Sequence, residues 1–247
     1  IHTSSETLMR RPCHIALVSE HAVPDQKQRA MEADFRLNGW EIEMSCLDPE
    51  KRCHSGGVAI AVRPPWKITH YHIRTPEYRQ SCTTGRTMAR WVDIGAGRQA
   101  LVFVVYGATN AGRDQRASDV TNAILASVNL EAAANPGTLI LIGGDLNCSI
   151  GNLHELDTMT ATGGWTDIGA CASQWGGTDH LPTCSASGSK SMSRRDYILV
   201  NPLARSLVCK YEVKYDSTFS THHIVRLTIK PGNYVPMVVQ GREYEDL

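Results

Sequence analysis

The sequence predicts an α/β protein in which layered β-sheets are covered by helices. Three observations carry that expectation. Apolar segments of strand length recur through the chain, separated by turn residues. Two longer stretches place apolar residues on one side at helical spacing. The two kinds of segment are interspersed, with no internal repeat and no low-complexity linker, so they bury their apolar faces in one compact set of layers.

The elements follow in order. Residues 14–19 read as a short buried strand. Pro24 opens a helix, because proline suits a first turn. Ala30, Met31, Ala33, Phe35 and Leu37 form its apolar side and Gly39 closes it. Residues 40–44 alternate, with Glu41 and Glu43 between apolar positions. Segments 57–62, 66–73, 87–94 and 100–106 extend the run of strands, and their close spacing implies antiparallel pairing. Asp114 or Ser118 caps a second helix, with Val120, Ile124, Leu125 and Val128 on one face. Asn135-Pro136-Gly137 ends it, and residues 138–142 form an unbroken apolar strand running into Gly143-Gly144. Residues 148–193 are loop-rich, with a short helix over 165–172. Segments 196–200, 204–213 and 223–229 are the closing strands.

The 247 residues are 42 % apolar and 20 % charged, the range of an ordinary globular chain rather than a disordered one. Basic and acidic residues number 25 each, so the overall field neither recruits nor excludes nucleic acid. Attraction for phosphate must come from a local patch or a metal. No apolar stretch approaches the roughly 20 residues of a membrane span, and no membrane partner is expected. Eight cysteines include no C-x-x-C pair, and residues 1–11 show no signal pattern. The cysteines read as reduced thiols of an intracellular protein. Cys53-His54 lacks a second pair and implies no zinc site.

Six residues with metal-binding or phosphate-handling chemistry fall at strand ends, where sites are commonly built. They are Glu20, Tyr106, Asp145, Asn147, Asp196 and His222. Carboxylates hold a hard divalent cation through oxygen. Such a cation neutralises charge on a phosphoryl group and its leaving oxygen. A carboxylate or imidazole activates water, and hydroxyl, amide and imidazole groups hold phosphate oxygens. Cys148 sits beside the cluster and reads as a small buried residue rather than a nucleophile. Arg194-Arg195 reads equally as a contact to nucleic-acid backbone or as a solvated pair.

These residues lie in six segments whose order and wording resemble the endonuclease/exonuclease/phosphatase (DNase I-like) superfamily. Ser19-Glu20-His21 resembles its QE-x strand end, and Gly56-Gly57-Val58-Ala59-Ile60 its GGVAI strand. Val105-Tyr106-Gly107-Ala108-Thr109-Asn110 resembles VYGPxN, and Gly143-Gly144-Asp145-Leu146-Asn147 resembles GGDFN. Pro182-Thr183 with Ser193-Arg194-Arg195-Asp196-Tyr197-Ile198 resembles PT…SRIDYI, and Ser220-Thr221-His222-His223-Ile224-Val225 resembles the closing SDHxPV. The resemblance implies a four-layer α/β sandwich: two packed mixed β-sheets with outer helices. It implies a domain over residues 13–230, a lead-in over 1–12 and a tail or linker over 231–247. It further implies Glu20, Asp145 and Asp196 as metal positions, with Mg2+ as the ion and Mn2+ as a substitute. Asp145 then activates or aligns water, Asn147 orients phosphate, Tyr106 contacts it, Asp196 supports the metal and His222, and His222 acts on the phosphate or leaving group.

Within that superfamily the wording around "SRRDYILV" is nearest to the endonucleases of non-LTR retroelements. That branch implies a DNA substrate, a fused reverse transcriptase domain C-terminal to this chain, and a nuclear location. A phosphatase or phosphodiesterase acting on inositol phosphates, lipids or nucleotides is the alternative, and a catalytically weakened remnant is a third reading. Two departures motivate the last. Thr221 stands where the family has aspartate, which implies weaker metal binding or a less basic His222. The family's first strand, which ends in asparagine, has no counterpart in residues 1–12, which read as a truncated lead-in.

Overall fold

The computed structural model describes residues 13–49, 56–149, 151–185, 192–216 and 221–233. The lead-in over 1–12, Cys53-His54, Ser220 and nearly all of the tail lie outside the described residues, and so does the expectation about a missing first strand.

Two sheets stack face to face between two helical layers. The smaller sheet holds β1 (Ile15–Ser19), β2 (Glu41–Met44) and β3 (Val58–Val62) in the order β1-β3-β2, with both pairings antiparallel. The larger holds β4 (Ile68–His70), β5 (Thr87–Gly95), β6 (Arg98–Tyr106), β7 (Ile140–Asp145), β8 (Thr166–Asp167) and β11 (Asp196–Val200). Its order is β4-β5-β6-β7-β11-β8. A short hairpin joins β9 (Cys184–Ser185) to β10 (Met192–Ser193), and β12 (Val208–Lys214) pairs with β13 (Ile224–Ile229). The helix α1 (Asp25–Leu37) covers the smaller sheet. On the far side, α2 (Pro76–Cys82), α3 (Gln115–Ala133) and α4 (His154–Ala161) cover the larger one.

Strand alternation sorts the side chains between layers. On β6, Leu101, Phe103 and Val105 face α3, where they meet Ile124, Leu125 and Val128. Ala100, Val102, Val104 and Tyr106 face the other way and meet Val58, Ile60 and Val62 of β3. The β12–β13 pair adds Val208, Tyr211, Val213, Val225 and Leu227 to that same inter-sheet core. On β3, Ala59 and Ala61 point to α1 and pack on Met31 and Phe35.

Several expectations change. Only Met31 and Phe35, one turn apart, are buried on α1; Ala30, Ala33 and Leu37 are exposed. A three-stranded sheet offers the helix a narrow seat. On α3, Asp114 is the cap, accepting from the Arg116 amide at 3.0 Å, and Val120 is exposed. The strand expected over 66–73 shortens to three residues, and α2 follows it, started by the Thr75 cap and Pro76. The loop-rich stretch contains α4, and the helix expected over 165–172 is β8 followed by a 3-10 helix at Ile168–Trp175. The strand expected from 204 begins at Val208, because Asn201 and Pro202 start the short helix α5 (Pro202–Arg205). The antiparallel pairing expected among the strands up to residue 106 is found, and β6 and β7 run parallel as mixed sheets require, with α3 making the crossover.

At the end of β7 two glycines permit close approaches, Gly143 to the other sheet and Gly144 to the neighbouring strand. A Cβ on Gly143 would fall 2.6 Å from Leu17 Cδ1 of β1. A Cβ on Gly144, at φ +155, would fall 1.8 Å from the Val105 carbonyl oxygen of β6. The second obstacle is backbone and cannot rotate away. Gly144→Ala is expected to destabilise the fold by about 3 kcal/mol or more. Gly137→Ala, at φ +72 with nothing within 4 Å, is expected to cost only the left-handed penalty of about 1–2 kcal/mol. Urea unfolding of both variants checks this, and equal losses would remove the close-approach argument.

Candidate active site

The sheet register builds the site before any side chain is considered. Tyr106 on β6 is opposite Asp145 on β7, and Asp145 is opposite Asp196 on β11. Residues directly opposite share a face, so the three side chains stand in one row. His222 enters this row from just before β13 of the β12–β13 pair, held by a bridge between Cys184 and His222.

The contacts are specific. His222 Nδ1 lies 2.9 Å from Asp196 Oδ2 and 3.2 Å from its Oδ1. His222 Nε2 lies 3.7 Å from Asp145 Oδ2. One ligand atom each from Asp145, Asp196 and His222 lies within 4.8 Å of the others. The Asn147 amide nitrogen donates to Asp145 Oδ1 at 2.8 Å, and the Asn147 side chain donates to the Gly107 carbonyl at 3.0 Å. Asn147 itself sits at φ +53, a left-handed turn that asparagine tolerates.

Glu20 arrives by a different route. The Ser19 hydroxyl donates to the Val105 carbonyl at 3.3 Å and accepts from the Asp145 amide at 3.1 Å. It fixes the end of β1 to the ends of β6 and β7. Beyond it the chain turns at positive φ on Glu20 and Ala22, with His21 buried between them. Burial lowers the His21 pKa to about 4, so the ring is neutral while its nitrogens meet the Ser45 carbonyl and the Val23 amide. Glu20 is exposed and hydrogen-bonds the Tyr106 hydroxyl. It stands outside the three-residue cluster of Asp145, Asp196 and His222.

Electrostatics separate the groups. Burial first, and then the neighbouring Asp196 charge, hold the Asp145 carboxyl well above the usual carboxylate range. The Asp196 hydrogen bond raises the His222 pKa against the opposing effect of burial. Thr221 brings no charge, and the carboxylate partner of His222 is Asp196. Burial raises the Tyr106 hydroxyl to about 12 and keeps it protonated near neutrality.

Other expectations divide. Arg194 is neither solvated nor able to reach nucleic acid. It is buried, ion-paired with Asp167, and lies 4.4 Å over the Tyr197 ring. Arg195 remains half-buried, its Nε 3.2 Å from Ser193 Oγ. Cys148 is buried, and burial raises its thiol pKa, which disfavours a nucleophile. Ser19 and Thr183 are positioning residues that the residue types alone did not single out. Thr183 Oγ1 accepts from the Arg195 and Asp196 amides at 3.1 and 3.0 Å, and the Thr183 carbonyl accepts from the His223 amide at 2.7 Å. One threonine thereby aligns Asp196 with His222. Both residues lay inside quoted motifs, which was the available signal.

Residues 18–222 match the Endonuclease/Exonuclease/phosphatase family. The chain belongs to that family. It is therefore a member of a family of phosphate-ester hydrolases, built on the DNase I-like fold. No curated protein matches it in sequence. Among solved structures, it is similar to the 3' phosphatase NExo from Neisseria bound to product DNA hairpin. Identity there is 18 % over 93 % of each chain, with a TM-score of 0.70. The catalytic domain of Xenopus laevis APE2 is 16 % identical over 93 % of this chain and 88 % of that one, with a TM-score of 0.71. The endonuclease domain of TRAS1, a telomere-specific non-LTR retrotransposon, is 16 % identical over 93 % and 89 %, with a TM-score of 0.61. At such identities these likenesses speak for the fold. Among the described residues, no helix is long and apolar enough to cross a membrane.

The His222–Asp196 pair makes a prediction independent of any reaction. A proton on the ring is stabilised by the carboxylate, so removing that charge lowers the pKa. Followed by NMR in metal-free protein, His222 is expected to titrate above the ordinary histidine value of about 6.5, and Asp196→Asn to bring the midpoint down. A midpoint unmoved by Asp196→Asn would show that the pair is not formed in solution.

Proposed function

We propose that the protein is a divalent-metal-dependent phosphodiester hydrolase that cuts DNA, of the retroelement endonuclease type. The observation that carries the reading is the row of Tyr106, Asp145 and Asp196 across three strands, closed by His222 and flanked by Asn147. The donor set suits a hard cation. Two carboxylates stand beside each other, and burial first and then its neighbour's charge hold the buried one above its ordinary pKa, a cost that positive charge relieves. Asp145 and Asp196 would hold the ion, with Glu20 approaching through Tyr106. Mg2+ is the expected ion and Mn2+ its substitute. Bound there, it would offset charge building on the phosphoryl oxygens.

The chain's own groups divide the remaining work. Asp145 aligns water and takes its proton. Asn147 has one side-chain N–H engaged by Gly107, which leaves the other for a phosphate oxygen. The Tyr106 hydroxyl, protonated at neutral pH, donates to a second oxygen. Asp196 holds His222 by Nδ1, so that Nε2 is directed to the side where Asp145 lies. There it stabilises the phosphate or protonates the leaving oxygen.

The DNA-bound NExo structure and the TRAS1 domain support a nucleic-acid substrate by analogy of fold. The retroelement type carries a further expectation, a reverse transcriptase domain beyond Leu247, which genomic sequence checks. Plasmid nicking in Mg2+ tests the function itself. The unaltered protein is expected to nick. Asp145→Asn is expected to lose about 10²-fold or more, and Glu20→Gln to need more Mg2+. Equal nicking by all three would overturn the assigned roles. Phosphate release from inositol phosphates or nucleotides without nicking would transfer the reading to the phosphatase branch.

A further inference from the structure

Behind the acidic row lies a buried cation tied to the same strand ends. Arg86 immediately precedes β5, and its side chain is 6 % exposed. Its Nε and Nη2 donate to a single oxygen, Asp48 Oδ2, at 3.0 and 2.8 Å. Because the fork grips one oxygen rather than two, Nη1 is turned elsewhere. It donates to the Gly107 carbonyl at 3.0 Å. That carbonyl also accepts from Asn147 Nδ2, at the same distance. A carbonyl oxygen has two lone pairs, and here one serves Arg86 and the other Asn147.

Arg86 reaches Tyr106 as well. The guanidinium carbon lies 5.2 Å from the centre of the Tyr106 ring, and the Tyr106 amide donates to the Arg86 carbonyl at 2.8 Å. Gly107 leaves no slack between these contacts. Its amide donates to the Asp145 carbonyl at 2.7 Å, and a Cβ on it would fall 2.3 Å from the Leu146 carbonyl oxygen. A movement of the guanidinium therefore shifts the Gly107 carbonyl, and the Asn147 amide turns with it.

We propose that Arg86, anchored by Asp48, is a positioning residue that fixes the Tyr106 ring and, through the Gly107 carbonyl, the direction of the Asn147 amide. The proposal rests on the reading of Tyr106 and Asn147 as phosphate contacts. It adds a buried ion pair that touches no substrate and sets the geometry of both.

Lysine at position 86 keeps the charge but cannot span Asp48 and Gly107 with a rigid fork. In plasmid nicking, Arg86→Lys is expected to lower kcat by about 10- to 100-fold. KM and the Mg2+ midpoint are expected to hold, since Asp145 and Asp196 are not attached to Arg86. In an Asn147→Ala background the same change is expected to cost clearly less than it does alone, because only its route through Tyr106 remains. Fully additive losses would overturn the proposal. A second readout does not depend on activity. The side-chain amide signals of Asn147, assigned by their loss in Asn147→Asp, are expected to move in Arg86→Lys while signals of α3 and β5 stay in place. Unmoved Asn147 signals would also overturn it. If the unaltered protein cuts nothing, the proposed function fails, and the amide signals still decide the role of Arg86. If Arg86→Lys does not fold, Asp48→Asn, which loosens the guanidinium without removing it, is judged by the same signals and the same two outcomes.

Discussion

At the end of β7 one hydroxyl lies between three strands from two sheets. Ser19 Oγ receives the Asp145 amide and donates to the Val105 carbonyl. That contact requires β1 to lie close to the ends of β6 and β7, which the absence of a side chain at Gly143 allows, while Gly144 lets β7 lie against the Val105 backbone of β6. The rest of the site inherits its position from this approach. With β1 fixed, Glu20 turns over Tyr106. With β7 fixed, the Asp145 carboxylate meets Asp196 across one ladder and Tyr106 across the other. A bulky residue at Gly143 would press on Leu17 of β1, and one at Gly144 would push β7 from β6 within its own sheet.

The same thinness explains why so polar a row exists inside a fold with an apolar middle. Val104 and Ile60 fill the inter-sheet space one or two residues back from the edge. Tyr106 belongs to that apolar layer by its ring and to the site by its hydroxyl, an amphipathic side chain used at a boundary. Asp145 is 7 % exposed, close enough to the core for burial to dominate its proton affinity and still able to reach His222.

Much of this arrangement was legible in the sequence, because strand ends and motif order carry it. The strand-length apolar run over residues 100–106 marked β6, and the apolar run into Gly143-Gly144 gave β7 and the turn that presents Asp145. The helices missed, α2, α4 and α5, are short, and α2 and α5 start at local caps rather than on long periodicity. Thr75-Pro76 and Asn201-Pro202 were readable cap signals beside segments that looked like strand. The parallel pairing of β6 and β7 was hidden because spacing along the chain does not reveal a crossover unless the helix between is counted as one. Arg86 and Asp48 lie 38 residues apart and share no local pattern, so only the folded chain brings them together. Arg194 failed for the same reason: its partner Asp167 comes from the far strand β8.

Charge balance gives the row its direction. Two carboxylate charges within 4.8 Å repel by roughly 3 kcal/mol at an effective dielectric of about 20. A proton on His222 would offset part of that repulsion, and the Asp145 pKa is raised first by burial and then by the Asp196 charge. The nearest buried guanidinium is not available to help, since Arg86 is committed to Asp48 and the Gly107 carbonyl. Arg195 lowers the Asp145 pKa only as a minor, half-exposed contributor. The chain thus commits the buried Arg86 to groups behind the row, and among the described residues only the half-buried Arg195 lowers the Asp145 pKa as a guanidinium. A row built that way gains from a divalent cation and from the phosphate such a cation brings, which is the physical ground for reading the row as a place where phosphate esters are cut.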